Sequence, residues 1–230
     1  MPHARSARLF AALSFVVLAC SGAVSEDRIH QSFATSANPE VRLENVTGRI
    51  IVRPWDNNSV DITAVKSAAD AEALANIDIE ISKEGNPATW VRARAHYGHR
   101  NPIGSVEFTA TVPRHAKLRI SSVSGNIIAD GFANDFTANT VTGSIETSMT
   151  RVNERRVSLH TVTGSIDLVI PRDSGAVVKV NSISGKVQSD FPLTDTAQII
   201  GTNIRGRIGD GSGSIEMGSV AGSLTLKSQH

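Results

Sequence analysis

Two acidic residues, Glu146 and Asp167, have the type and spacing that could support a reaction. Each lies three positions after the glycine of a TVTGSI hexapeptide, which occurs at Thr140 and again at Thr161. If the two copies stack on neighbouring strands, these residues are separated by about 4.8 Å. Paired carboxylates at that separation could hold a cation or share a proton, as in polysaccharide-active β-helix enzymes. No third group accompanies them at a fixed spacing, so we expect solvated, non-catalytic carboxylates and keep the enzyme as the alternative.

The hydroxyl side chains around the repeated glycines suggest a second alternative, an ice-type binder. Four consecutive copies carry a Thr-x-Thr or Ser-x-Ser pair, and flat arrays of this kind on a solvent face are typical of ice-binding solenoids. Hydroxyls beside a corner also cap turns and form cross-strand ladders, and we favour that structural use. The pairs are Ser122/Ser124, Thr140/Thr142, Thr161/Thr163 and Ser182/Ser184.

Few other residues could form a site. Trp55 lies in a turn beside Pro54 and is the candidate for an exposed ring that binds a partner, whereas Trp90 lies within a strand pattern and is expected in the core. His96 and His99 are expected to be solvated, and we expect neither a metal nor a cofactor.

The hexapeptide belongs to a longer series of seven related segments, each centred on a glycine. Apolar residues recur seven, five and two positions before the glycine and two positions after it. Spacing of two predicts strands with one buried face, and the step of three between positions −5 and −2 predicts a bend or bulge. The glycine is expected to point into a core too tight for a Cβ. The glycines are Gly48, Gly125, Gly143, Gly164, Gly185, Gly206 and Gly222.

Recurrence at about 20 residues predicts an all-β parallel solenoid of about seven units. The alternative is an antiparallel β-sandwich or roll. Residues 41–112 are expected to form an N-terminal, strand-rich cap with the first unit, including a short helix at 67–76, and residues 113–226 the repeat stack. Together, residues 41–230 make one domain, and residues 24–40 are expected to be a linker.

The first 23 residues indicate export. Arg5 and Arg8 precede an apolar run at 9–19 that is too short to span a bilayer but suits a signal peptide. Cys20 follows a lipobox-like VLA, so lipidation there is one outcome, and cleavage after Ala23 is the other. We expect a location in the periplasm or outer envelope, with membrane contact only through such a lipid anchor.

Composition limits the classes of partner. Without residues 1–23 the chain has 21 basic and 22 acidic residues, which gives no electrostatic case for nucleic acid. Cys20 is the sole cysteine, so no intramolecular disulfide can form. The partner is therefore expected to be an envelope or extracellular protein or a polysaccharide, with its identity left open.

Several segments carry a resemblance to a known family. The TVSG-type units, the RPWD turn at 53–56, the Val-Pro pair at 112–113 and the glycine-rich segment at 209–226 resemble the bacterial putative-adhesin family, a domain of unknown function. The resemblance extends over about residues 41–226. It implies a β-solenoid-like body in an exported or envelope-associated, non-enzymatic protein, and it brings no catalytic residues.

Overall fold

The computed structural model describes residues 25–98, 104–197 and 202–229. The expected signal peptide, with Cys20, and His99 lie outside the described residues. Within the described ranges, no helix is long and apolar enough to cross a membrane.

Strands dominate the chain before the repeats. In order, the elements are β1 (Ser25–Glu44), β2 (Ile50–Trp55), β3 (Ser59–Ala68), α1 (Ala71–Ala75), β4 (Ile77–Gly85), β5 (Ala88–Tyr97) and β6 (Gly104–Pro113). The strand-rich character predicted for this region is confirmed. The helix is also confirmed but is shorter than predicted, because Asp70 caps its N-terminus by accepting a hydrogen bond from the backbone of Ala73.

The repeat region is built from short strands that come mostly in pairs. They are β7 (Lys117–Ser124), β8 (Ile127–Phe132), β9 (Phe136–Thr142), β10 (Ile145–Met149), β11 (Arg156–Thr163), β12 (Ile166–Ile170), β13 (Ala176–Ser184), β14 (Val187–Ser189), β15 (Thr194–Ala197), β16 (Thr202–Ile208), β17 (Gly213–Ala221) and β18 (Leu224–Ser228).

These strands form two facing sheets, joined through the long strand β1. Sheet B has the order β4-β5-β1-β7-β9-β11-β17-β13-β16-β15 and is parallel from β5 to β13. Sheet A has the order β1-β3-β6-β2-β8-β10-β12-β18-β14 and is parallel from β6 to β14. The architecture is therefore all-β and mostly parallel, consistent with a solenoid-like fold.

We call each repeat of this stack a rung. A rung consists of one strand of sheet B and the strand of sheet A that follows it in the chain. Six of the seven glycine-centred segments form such rungs. Gly206 does not, because it lies inside β16, which runs antiparallel to β13 without changing sheet. A further rung comes from β5 and β6, which stack on β1 and β2 although the glycine motif is missing there.

The last rung is not at the end of the stack. Strands β17 and β18 lie between the β11/β12 rung and the β13/β14 rung, so the chain returns to fill a gap that it left open. Repeat spacing alone predicts stacking in chain order, and that order is wrong at this point.

The expected linker at 24–40 is also different in the structure. From residue 25 it belongs to β1, whose first ten residues pair antiparallel with β3 and whose last residues enter sheet B. Its polar sequence resembles a linker because this half of β1 is an edge strand, and most of its side chains face solvent.

The core lies between the sheets as stacked rows of apolar side chains. Positions −7 and −5 are buried in each rung that contains the glycine, as Val157 and Leu159 illustrate, and position +2 is buried in all but one, where Val187 is half-buried. Position −2 is a correction to the sequence prediction, because Val162 and its equivalents point outward. The inward position is −3, which carries a buried hydroxyl such as Thr161.

Space and hydrogen bonding explain why the side chain at position −3, and not the one at position −2, points inward. Burial alternates along the strand up to position −3, and positions −2 and −1 are then both exposed in β7, β9, β11, β13 and β17, so the alternation breaks between position −3 and the glycine. The small hydroxyl side chains lie in the corner where the chain passes from one sheet to the other. Thr140 donates to the Gly125 carbonyl at 3.3 Å and Thr161 to the Gly143 carbonyl at 3.2 Å, two bonds that valine cannot make.

The bend occurs at the glycine itself. A Cβ on Gly164 would lie 2.1 Å from the Gly143 carbonyl oxygen, and one on Gly143 would lie 2.3 Å from that of Gly125. The rung glycines therefore form a column in which each Cα meets the backbone of its neighbour. This close contact runs along the stack rather than into the core, and five of these six glycines also have positive φ.

Candidate functional site

The two carboxylates at position +3 do lie side by side on the outer face of sheet A. Glu146 and Asp167 are directly paired partners on β10 and β12. Their flanking partners are Ile128 on β8 and Thr225 on β18, the strand that separates β12 from β14. Lys227 lies 3.4 Å from the Asp167 carboxylate, which forms a surface ion pair. This open, partly neutralised pair lacks the geometry of an acid–base site.

Neither tryptophan has the environment expected from the sequence, because both are half-buried. The Trp55 indole donates to the Ser59 carbonyl at 2.8 Å, so it fixes the turn between β2 and β3 while remaining half-buried. Trp90 is not in the core: it is half-buried on the outer face of sheet B, with the Arg42 guanidinium 5.8 Å from its ring.

The corner of the stack presents an apolar ridge instead of an array of hydroxyls. In five of the six rungs that contain the glycine, the position −2 side chain is between 42% and 58% exposed, whereas the first hydroxyl of each pair is buried. Val46 in the first rung is half-buried. A flat Thr-x-Thr surface is therefore absent from these rungs, which contradicts the ice-type alternative. In stacking order, the ridge consists of Val123, Val141, Val162, Val220 and Ile183.

A polar cavity lies beside the late end of this ridge. It has a volume of about 330 Å³ and is lined by residues that include His160, Asn181 and Asn203. The Ser182 and Ser219 hydroxyls are buried there without a hydrogen-bond partner among the described residues, so the cavity is polar enough to hold water.

The outer faces of the two sheets differ in charge. On sheet B, the outward Lys and Arg side chains of strands β5 to β16 are Arg92, Arg94, Arg42, Lys117, Arg119, Arg156, Lys179, Arg205 and Arg207, and the outward acids are Glu40, Glu44 and Glu216. On sheet A, strands β3 to β18 present Asp61, Glu107, Asp130, Glu146 and Asp167 against Arg53 and Lys227. At the edge of sheet B, β4 adds the outward acids Asp78, Glu80 and Glu84. With these included, cations still outnumber acids on the outer face of sheet B, and acids outnumber cations on that of sheet A.

The basic face is densest on β5, β1 and β7, where nine outward residues form three rows that we call the arginine grid. The rows are Trp90–Glu40–Lys117, Arg92–Arg42–Arg119 and Arg94–Glu44–Ser121. Three arginines thus lie abreast on adjacent strands, an arrangement that is unfavourable unless anions neutralise it.

The two glutamates provide part of that neutralisation. Glu40 accepts hydrogen bonds from Arg42 Nε at 2.7 Å and from Arg119 Nε at 3.0 Å. Glu44 accepts from Arg92 Nη2 at 2.9 Å and lies 3.3 Å from Arg94 Nε. Each glutamate is therefore shared by two arginines.

These ion pairs shift the pKa values of Glu40 and Arg92. Partial burial acts to raise the pKa of Glu40, but the hydrogen bond and charge of Arg42 and the charges of Arg119 and Lys117 outweigh it, so the pKa is lowered. The hydrogen bond to Glu44 raises the pKa of Arg92 against the opposing effect of burial. Glu40 is thus held ionised between its arginines.

Sequence reasoning missed this grid although a signal was present. The segment Trp90-Val-Arg-Ala-Arg94 and the segment Lys117-Leu-Arg119 alternate apolar and cationic residues, which indicates strands with a basic outer face. What the sequence could not show is that β1 lies between β5 and β7 and brings Arg42 between their arginines.

The first of two comparisons with solved structures supports the fold. A solved structure of a putative cell adhesion protein from Clostridium sporogenes matches with a TM-score of 0.64 and 12% identity, covering 90% of this chain and all of that chain. A putative adhesin from Bacteroides fragilis matches with a TM-score of 0.35 and 14% identity, covering 89% of this chain and 98% of that chain. No curated protein matches the sequence.

The family is shown by the sequence of the repeat region. The model of the Toastrack DUF4097 family matches residues 103–227, just over half of the chain. The matched range begins beside β6 and includes each rung that follows it, with the inserted β17/β18 rung. This chain belongs to the Toastrack DUF4097 family.

Proposed function

We propose that the protein is an exported, non-catalytic component of the cell envelope that acts as an adhesin-like scaffold or binding module. The observation that carries the proposal is the separation of charge between its two outer faces. Parallel, in-register strands hold the cations of sheet B on one broad surface, which suits contact with an extended anionic partner. The adhesin label of the structural neighbours agrees with this role, although their similarity extends only to the fold.

The exposed paired carboxylates are the feature to test against this proposal. Polysaccharide cleavage needs an acid and a base or nucleophile held around a substrate. Glu146 and Asp167 instead lie on an open sheet face, and Lys227 is 3.4 Å from Asp167. These residues therefore lack the arrangement that bond cleavage requires.

The test uses purified protein that begins at residue 24, isolated cell-envelope fractions, and the double variant E146Q/D167Q. We expect the wild type to be retained by the envelope fraction at low salt and released by high salt, because charge carries the contact. We also expect the double variant to be retained equally, with no new reducing sugar ends from either protein. Lack of retention, or sugar release that the double variant abolishes, would contradict the proposal.

Export is tested separately by mass spectrometry of the mature N-terminus from the native host. A diacylglyceryl group on Cys20 indicates a lipid anchor, and a start at Val24 indicates a free exported protein. An unprocessed Met1 would overturn the proposed location.

A further inference from the structure

We propose that the arginine grid is a binding site for a carboxylate-bearing polysaccharide. This inference rests on the proposed binding function and names the ligand class and the residues that bind it. It begins from the incomplete neutralisation of the grid. Four arginines, Arg42, Arg92, Arg94 and Arg119, share the grid with two glutamates, whereas Lys117 pairs with Asp135 at 3.9 Å.

The free hydrogen-bonding capacity of the grid points outward. Arg42, Arg94 and Arg119 contact their glutamates through Nε, and no described residue accepts a hydrogen bond from their Nη atoms. The side chains of these three arginines are 42%, 45% and 47% exposed. Because the glutamates hold the guanidinium planes in place, the two Nη groups of each arginine are pre-positioned for an external anion.

The chemistry of these groups favours a planar anion. A guanidinium presents parallel N–H donors that match the two oxygens of a carboxylate. Arg92, Arg42 and Arg119 lie on adjacent strands, so their Cα atoms are separated by about 4.8 Å from one strand to the next. A ligand with regularly repeated carboxylates can therefore contact several of them at once.

The shape of the site favours a polymer over a small anion. The grid is an open sheet face, where a single anion would remain hydrated and bind weakly. Outward cations continue across the same face at Arg156, Lys179 and Arg205, which extends the surface available to a long chain. Many weak contacts along one polymer give a useful affinity without a pocket.

Two further features favour a sugar polymer and set its direction. Trp90 is itself a grid residue, and its half-buried ring, 5.8 Å from the Arg42 guanidinium, offers at the Arg42 end of the path an apolar surface of the kind on which sugar rings pack. Glu80 and Glu84 face Arg94 and Trp90 from β4, and they repel a polyanion at that edge. The favoured path therefore runs from Arg42 towards β7 and the later strands.

The test compares two double variants that each remove two positive charges. R42Q/R119Q changes the grid, and R53Q/K227Q changes exposed cations on the outer face of sheet A. Binding to polygalacturonate is measured by isothermal titration calorimetry at low and moderate salt. We expect the grid variant to bind at least about tenfold more weakly, since it loses charge-assisted hydrogen bonds, and the control to bind within about twofold of the wild type.

Three further ligands make the result specific. Fully methyl-esterified polygalacturonate keeps the sugar chain without the charges, dextran sulfate replaces the carboxylates with sulfates, and duplex DNA is an anionic polymer without sugar carboxylates. We expect the wild type to bind the ester and the DNA at least about tenfold more weakly than the acid polymer, and the sulfate polymer more weakly than the carboxylate polymer. These wild-type comparisons keep the proposal testable if R42Q/R119Q folds poorly, which thermal unfolding monitored by circular dichroism will reveal.

Unchanged binding by the grid variant, or equal binding of the ester or of DNA by the wild type, would overturn the inference. Equal binding of dextran sulfate would also overturn it, in favour of general polyanion binding. If envelope fractions retain the wild type but polygalacturonate does not bind, the proposed function stands and this ligand class is wrong. Failure of both measurements contradicts both proposals.

Discussion

At the scale of single residues, the glycine of the TVTGSI motif is required by contact between rungs. A Cβ at this position meets a carbonyl oxygen of the neighbouring rung well inside van der Waals distance, and that carbonyl is backbone that cannot move aside. The motif therefore keeps its glycine for packing and not for catalysis. The adjacent Ser or Thr at position −3 fills the corner next to that contact.

We predict that Gly164→Ala lowers the free energy of unfolding by about 2–4 kcal/mol, because it combines a positive-φ backbone with overpacking. The matched control is Gly98→Ala, where the new Cβ would lie 3.5 Å from its nearest neighbour, an ordinary contact distance. Urea unfolding monitored by circular dichroism measures both variants. Similar midpoints for the two variants would show that the glycine column tolerates side chains.

At the scale of the element, each sheet B strand alternates between core and solvent up to the corner. β11 illustrates the pattern, with Val157, Leu159 and Thr161 inward and Val162 outward. The sequence reveals the strand and its first two inward positions. It assigns the third wrongly, because hydrophobicity makes Val162 look like the buried residue and Thr161 like the exposed one.

The same isosteric substitution at two positions of β11 tests this orientation. We predict that Val162→Thr changes the free energy of unfolding by less than about 0.5 kcal/mol, because its side chain is 43% exposed. Val157→Thr is expected to lower it by about 1–3 kcal/mol, because it buries a hydroxyl in an apolar row. Both are measured by urea unfolding, and a loss for Val162→Thr as large as that for Val157→Thr would mean that position −2 is buried, as first inferred from the sequence.

At the scale of the whole molecule, the order of rungs in space departs from their order in the chain. The β17/β18 rung forms its hydrogen bonds with rungs on both sides, so it joins the body of the stack to the β13/β14 rung and to β16. In a simple solenoid, loss of the last unit leaves its predecessors stacked. Here it removes the support of the unit that precedes it in sequence.

We therefore predict that deletion of residues 213–230 abolishes amide protection in β13 as well as removing the last rung, while β7 to β10 stay protected. Hydrogen exchange followed by mass spectrometry measures this loss. The variant Leu224→Ser in the complete chain should also shorten β13 protection times, since it places a polar group at a buried position of the joining rung. Persistent protection of β13 in the truncated protein would mean that the stack does not depend on the inserted rung.

The fold class, most strand positions and the rung glycines follow from the sequence alone, because alternation and repeat spacing are local properties of the chain. It also contained the carboxylate pair, whose adjacency follows from in-register stacking of Glu146 and Asp167. Where chain order and stacking order differ, only the tertiary structure shows which strands are neighbours. It placed β1 between β5 and β7, inserted β17 between β11 and β13, and buried Thr161 in place of Val162. The arginine grid depends on the first of these pairings, because its residues come from segments far apart in the chain, and only long-range hydrogen bonding brings them onto one face.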